Sequence, residues 1–239
     1  MSFKSKIDFC GLADGTNIVL KSHSEGRSSS TVTCENDEGD TVDATIVGHV
    51  MDPSNEYALK ADLTDFAIVL GGITTVNLGT QQSPDNHYYA LKSVTIGTSN
   101  SGEVSLSAQA EEVPTSTAAR TYTVTIASLK NRVKAQILNL MFTVDGEKVH
   151  LQSASYTFSV NINHTTVDGE RATFDVYGGS IVVSIEAKQA GSAAPTVAAG
   201  SGCYLTGDKS ESRPDSDYAS VSAEVTKYFT ADVPQQSGT

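Results

Sequence analysis

No tryptophan occurs in the 239 residues, and cysteine and methionine appear three times each. Without Trp, an aromatic platform for sugars would have to come from Tyr or Phe, which weakens a carbohydrate-binding reading. Cys10, Cys34 and Cys203 are odd in number, far apart and form no C-x-x-C pair. Neither a disulfide framework nor a thiolate metal site is expected from them, and reduced thiols are. No stretch approaches the ~18 apolar residues of a membrane span. Met1-Ser2-Phe3-Lys4-Ser5-Lys6-Ile7 carries two lysines with no apolar run behind them, so no secretion signal is expected. Basic residues are also few: 16 Lys and Arg stand against 28 Asp and Glu, a net charge of −12. Phosphates would be repelled in bulk, so sequence-specific nucleic-acid binding is not expected. At 18% charged residues the chain is still too sparsely charged for a disordered acidic tail.

Catalytic patterns are missing as well. There is no G-x-S-x-G elbow, and Gly200-Ser201-Gly202 lacks the strand–turn–helix setting that a nucleophile needs. His23, His49, His87, His150 and His164 are dispersed, without an H-x-H or H-E-x-x-H pair, and are expected at the surface or at strand ends. Gly71-Gly72 and Gly178-Gly179 lack the spacing of a phosphate cradle. No catalytic, cofactor-binding or metal-ligating residue is therefore assigned, and no enzyme is expected. The acidic run Glu35-Asn36-Asp37-Glu38-Gly39-Asp40, with Asp43, could offer oxygens to Ca²⁺, but its spacing does not match an EF-hand. A solvated turn between strands Thr31–Cys34 and Val42–Ile46 is the favoured reading.

What the chain does have is alternation. Tyr122–Ile126, Tyr156–Ile162 and Ile181–Ala187 alternate apolar and polar residues, the period of a half-buried strand. Asp14-Gly15, Asp145-Gly146 and Asp168-Gly169 are centres for tight hairpin turns. The latter two imply hairpins near 140–151 and 156–177, and Ser101-Gly102 suggests another. Two segments carry helical spacing. Leu129, Val133, Ile137, Leu140 and Met141 form one stripe over Ser128–Met141, the flanking amphipathic helix. Leu59, Leu63, Phe66 and Leu70 follow Asp52-Pro53, a cap and first-turn pair for a second short helix, with Gly71-Gly72 as its end. Phe66–Leu70 reads equally as a short buried strand. Segment 190–217 is rich in Gly, Ala, Ser and Pro and reads as a long projecting loop or arm, after which Tyr218–Val225 returns to period two and closes the sheet. Tyr88-Tyr89 beside His87 reads as a strand start with one ring buried. The expectation is a single β-rich domain over 1–239: all-β, mainly antiparallel sandwich or barrel, with one flanking helix and a second short one.

In its helix Ser128–Met141 beside strand Tyr122–Ile126, its Asp-Gly hairpins and its Ser/Thr/Ala-rich strands such as Glu103–Ala110, the chain resembles tailed-bacteriophage virion proteins, in particular major tail tube proteins. The resemblance implies a non-catalytic subunit that self-assembles into stacked rings, with itself and other virion proteins as partners. It also implies DNA passing through an acidic channel, assembly in the host cytoplasm and no membrane. Gly191–Asp217 and the arm Met1–Phe9 are the expected inter-subunit contacts. Two alternatives stay open: a capsid decoration or accessory virion protein, and an extracellular adhesin-type binding module.

Overall fold

The computed structural model describes residues 18–38, 40–59, 63–77, 85–99, 104–118, 120–129, 142–145, 149–167, 170–190, 195–206, 210–212 and 218–228. Nearly all of these are strand, the sheet is antiparallel, and no helix occurs among them. In chain order the strands are β1 (Ile18–Glu35), β2 (Thr41–Leu59), β3 (Leu63–Leu70), β4 (Ile73–Asn77), β5 (Asn86–Ser99), β6 (Val104–Val113) and β7 (Tyr122–Leu129). They continue as β8 (Phe142–Asp145), β9 (Val149–Val167), β10 (Glu170–Ala190), β11 (Thr196–Ala199), β12 (Tyr204–Leu205), β13 (Ser210–Ser212) and β14 (Tyr218–Tyr228).

One ten-stranded sheet dominates, in the order β1-β2-β6-β5-β9-β10-β14-β12, with β4 beside β5 and β13 beside β14. Because side chains alternate along each strand, the register aligns apolar residues across the sheet. Tyr57, Leu106, Ile96, Tyr156, Val183 and Val225 are direct neighbours across β2, β6, β5, β9, β10 and β14. All six are buried. Two small sheets, β3–β7 and β8–β11, contribute Ile68, Leu70, Tyr122 and Val197 to the same buried cluster, so the arrangement is β-sandwich-like. Asn55 is the most enclosed polar side chain of this layer: its Nδ2 donates to Tyr57 Oη at 2.7 Å and its Oδ1 meets His23 Nδ1 at 2.6 Å, which satisfies a buried amide.

The second short helix expected over 52–70 does not form. Asp52–Leu59 ends β2 and Leu63–Leu70 is β3. Within β2, Asn55 and Tyr57 face inward and alternate with Ser54 and Glu56, and pairing to β1 on one side and β6 on the other outweighs a local apolar spacing of four. Gly71-Gly72, read as that helix's end, is instead the turn from β3 to β4. Gly71 has φ +75°, and a Cβ there would lie 2.4 Å from the Arg120 carbonyl oxygen. Of the flanking helix, Ser128 and Leu129 end β7, and 130–141 lie outside the described residues. The hairpin expected around Asp168-Gly169 does form between β9 and β10, with Val167 paired to Glu170; 168–169 themselves lie outside the described residues. Among the described residues the hairpin expected near 140–151 is not seen: β8 pairs with β11 rather than with β9. The described residues of segment 190–217 include three short strands, of which β12 and β13 pair with β14, and β14 supplies the expected final strand.

Two substitutions probe this core. Gly71→Ala combines a left-handed backbone with a backbone clash and should lower unfolding free energy by at least about 2 kcal/mol in urea titration. Tyr156 buries a hydroxyl with no hydrogen-bond partner, and burial pushes its pKa from 10.0 up to about 12. Tyr156→Phe should therefore be neutral or stabilising by about 1 kcal/mol near neutral pH. A raised phenol pKa means the folded state keeps a proton the unfolded chain releases, so wild-type stability falls as pH rises above about 10. The Phe variant should lack this part of the alkaline loss.

Candidate functional site: a charged clasp under a hairpin tip

The large sheet's second face is built of small polar side chains. Ser105, Gly97, Ser155, Ser184 and Glu224 are direct neighbours across β6, β5, β9, β10 and β14, and the next row runs Glu56, Ser107, Thr95, Thr157, Val182 and Thr226. Hydroxyls bridge these strands: Thr95 Oγ1 to Thr157 Oγ1 at 3.2 Å, and Ser184 Oγ donating to Glu224 Oε2 at 3.2 Å. A shallow concavity of about 580 Å³ opens on this face between Ser105, Ser153, Ser155, Ser184, Glu186 and Ser222.

At one end the face changes character. β5 bulges at Lys92, between Leu91 and Ser93, and β10 bulges at Gly178-Gly179, between Tyr177 and Ser180. The two bulges flank one row, because Ser93 opposes Ser159 and Ser159 opposes Ser180. Pairing of β9 with β5 stops there, and from that row on β4 pairs with β5 instead. The β9–β10 hairpin continues alone, as extra residues in a ladder bend a strand away from its sheet. Gly178 takes φ +68°, with a would-be Cβ 2.7 Å from Asn161 Nδ2.

Beneath the hairpin tip lies the densest group of ionisable side chains among the described residues. Glu111 of β6 accepts from Lys92 Nζ at 2.8 Å, from His164 Nε2 at 2.7 Å and from Arg171 at 3.3 Å. Arg171 also donates to the Glu112 backbone carbonyl and lies 3.9 Å from Asp52 Oδ1. Beside it, His87 Nδ1 meets Glu112 Oε1 at 2.6 Å and its Nε2 lies 3.4 Å from Asp85. The side chains of Glu111 and His164 are only 10% and 11% exposed, so their charges rely on one another rather than on water.

Each pKa follows from this crowding. Burial alone would raise Glu111, but hydrogen bonds from Lys92 and His164, with the charge of Arg171, hold it below its ordinary 4.5. Burial pulls His164 below 6.5 and outweighs its bond to Glu111. Burial would pull His87 down too, yet its bonds to Glu112 and Asp85 carry it above 6.5. Asp52 is raised, chiefly by burial and then by the charge of Glu111. His164 Nδ1 is buried without a partner, so with a neutral ring its Nε2–H donates to the carboxylate and Nδ1 carries the bare lone pair. General acid–base work needs a proton within reach of a substrate; here both Glu111 oxygens are occupied by cations or donors, an arrangement that holds strands together.

Scattered in sequence, His164 and His23 were expected at the surface or at strand ends, yet both are enclosed; the side chain of His23 is 8% exposed, between Asn55 and Glu25. Tyr88-Tyr89 lies near the start of β5 with the Tyr89 ring buried. The acidic turn is organised by Asn36, whose Oδ1 accepts from Glu38 N at 3.0 Å and Asp40 N at 2.8 Å, and its described residues are exposed. Cys34 and Cys203 are free thiols. Cys10 and the arm Met1–Phe9 lie outside the described residues. Nothing in the sequence marked Glu111 as special: it stands in the run Val104–Val113, where alternation breaks only at Ala110-Glu111, both buried.

Glu111→Gln should cost about 2–3 kcal/mol at neutral pH, because it leaves Lys92 and Arg171 without their shared counterion. A carboxylate with a depressed folded pKa contributes fully above its ordinary 4.5 and loses that contribution as pH falls through the folded value. The stability gap between wild type and Glu111→Gln, from urea titrations across pH, should stay level above about 4.5 and close below it. No protein-family model matches this chain, and no curated protein is significantly similar to it in sequence.

Proposed function

We propose that the chain is a non-catalytic structural protein that works by self-assembly, with the tail tube subunit of a tailed bacteriophage as its leading form. The observation that carries this reading is the β1–β2 ribbon. β2 pairs with β6 only over Ser54–Ala58, while β1 and β2 stay paired to each other out to Glu35 and Thr41. Residues 27–51 thus extend as a two-stranded ribbon, roughly 30 Å long at about 3.3 Å per residue, that no further strand flanks among the described residues. A two-stranded ribbon is marginal in water, and its open edges invite pairing with another chain. A heterologous contact of ribbon on neighbour, repeated around an axis, closes a ring. In this form the partners are further copies and other virion proteins, assembly takes place in the host cytoplasm, and the net charge of −12 lets DNA pass through a channel without adhering.

The test is light scattering behind size exclusion, with negative-stain images of the same peak. Wild type should form rings or tubes. A variant lacking residues 31–46, with Ser30 joined to Val47 through Asn-Gly, should remain a folded monomer. Native assemblies from the shortened chain would remove the ribbon from the interface. A wild type that stays monomeric at every concentration would overturn self-assembly and put a capsid-bound accessory role or an adhesin-type module first.

A further inference from the structure

We propose that the distal tip of the β9–β10 hairpin is an acid-released latch, hinged at the Gly178-Gly179 bulge and held closed by His164 and Arg171 clasping Glu111. Three observations carry this. From Val160 and Val176 outward, the ladder of β9 and β10 pairs only with itself among the described residues. Within 163–174, the inward-turned side chains are His164, Arg171 and Phe174, the last tilted against His164 with ring centroids 6.4 Å apart. The other described residues of that stretch are exposed, Val167 among them at 60%. Phe174, half-buried against the hydrophobic core, is the tip's one apolar hold among the described residues; the rest of its attachment to β6 and β2 is ionic or hydrogen-bonded, through His164 and Arg171. The hinge is equally defined: a left-handed glycine at a bulge, in line with the Lys92 bulge of β5.

The clasp is balanced only while His164 is neutral. Facing Glu111 are Lys92 from β5, His164 from β9, Arg171 from β10 and Asp52 from β2; its chain neighbour Glu112 is occupied by His87. With His164 uncharged, Lys92 and Arg171 are matched by Glu111 and Asp52. Acid adds protons to His164 and to the carboxylates. That leaves Lys92, His164 and Arg171 as cations with no counterion, two of them on the tip and one on the sheet beneath it. Repulsion at such short range in a partly dry site acts to part the tip from the sheet. Because folding holds His164 below 6.5 and Glu111 below 4.5, a proton taken up by either one favours release. Opening exposes the end of the hydroxyl face that the tip covers, next to a recess of about 350 Å³ between Ser24, Asp52, Lys92 and Glu111.

Amide hydrogen exchange read by NMR on the full chain, with protection corrected for the intrinsic pH dependence of exchange, tests this. From about pH 7.5 to about pH 4, protection over 163–174 should fall at least about tenfold more than over Ser153–Ser159, which stays in the sheet. Glu111→Gln should show the low tip protection already at about pH 7.5, with the tip's extra pH dependence abolished. If that variant does not fold, Arg171→Gln, which removes one arm of the clasp from a more exposed position, should give the same shift in smaller measure. Parallel loss of protection in the tip and in Ser153–Ser159 would overturn the latch. So would a folded variant whose tip is as protected as the wild type's.

Discussion

The structure depends on one row of side chains. Tyr57, Leu106, Ile96, Tyr156, Val183 and Val225 stand side by side across six strands, none more than 2% exposed. Each is held in register by its own ladder, and each ladder is stabilised by the row. A slip of one residue in any of these strands would turn serines and threonines into the core and aliphatic groups outward. At about 25 cal/mol per Å² of apolar area removed from water, that exchange is far more costly than any hydrogen bond the slipped ladder could recover. The small sheets β3–β7 and β8–β11 then find one surface to cover, and the sandwich follows from the row.

The same row explains why the charged clasp lies where it does. Where the ladder of β5 bulges at Lys92, alternation is interrupted, and Ala110 and Glu111 are both enclosed. A carboxylate trapped at such a fault must collect cations or lose its charge. The hairpin bends at its own bulge and delivers His164 and Arg171 to the spot. Two ladder irregularities in one row thus create both the need for a clasp and the means of closing it.

Much of the architecture was legible in the chain. Tyr156–Ile162 and Ile181–Ala187 read as strands and are strands, β9 and β10 pair as the hairpin that Asp168-Gly169 signals, and Tyr218 onward closes the sheet. Alternation and turn chemistry are local properties, so a linear reading finds them. The misses share a physical cause. Leu59 and Leu63 share one helical spacing although they sit in different strands, and only pairing with β1 and β6 decides the state of Asp52–Leu59. Asp145-Gly146 carries a turn signal as clear as that of Asp168-Gly169, yet β8 takes a partner some fifty residues away. The clasp was invisible because its members, Asp52, Lys92, Glu111, His164 and Arg171, come together only through register across β2, β6, β5, β9 and β10.

The hydroxyl face has a consequence of a different kind. Serine, threonine and glycine have few rotamers to lose, whereas lysine or glutamate would each forfeit about 1.5–2 kcal/mol of side-chain freedom when fixed. Much of what little freedom the face has is already restrained, as Thr95 is by Thr157 and Ser184 by Glu224. Its relief is therefore fixed by the backbone rungs beneath it, and whatever lies down on it meets a surface that has already been ordered by folding.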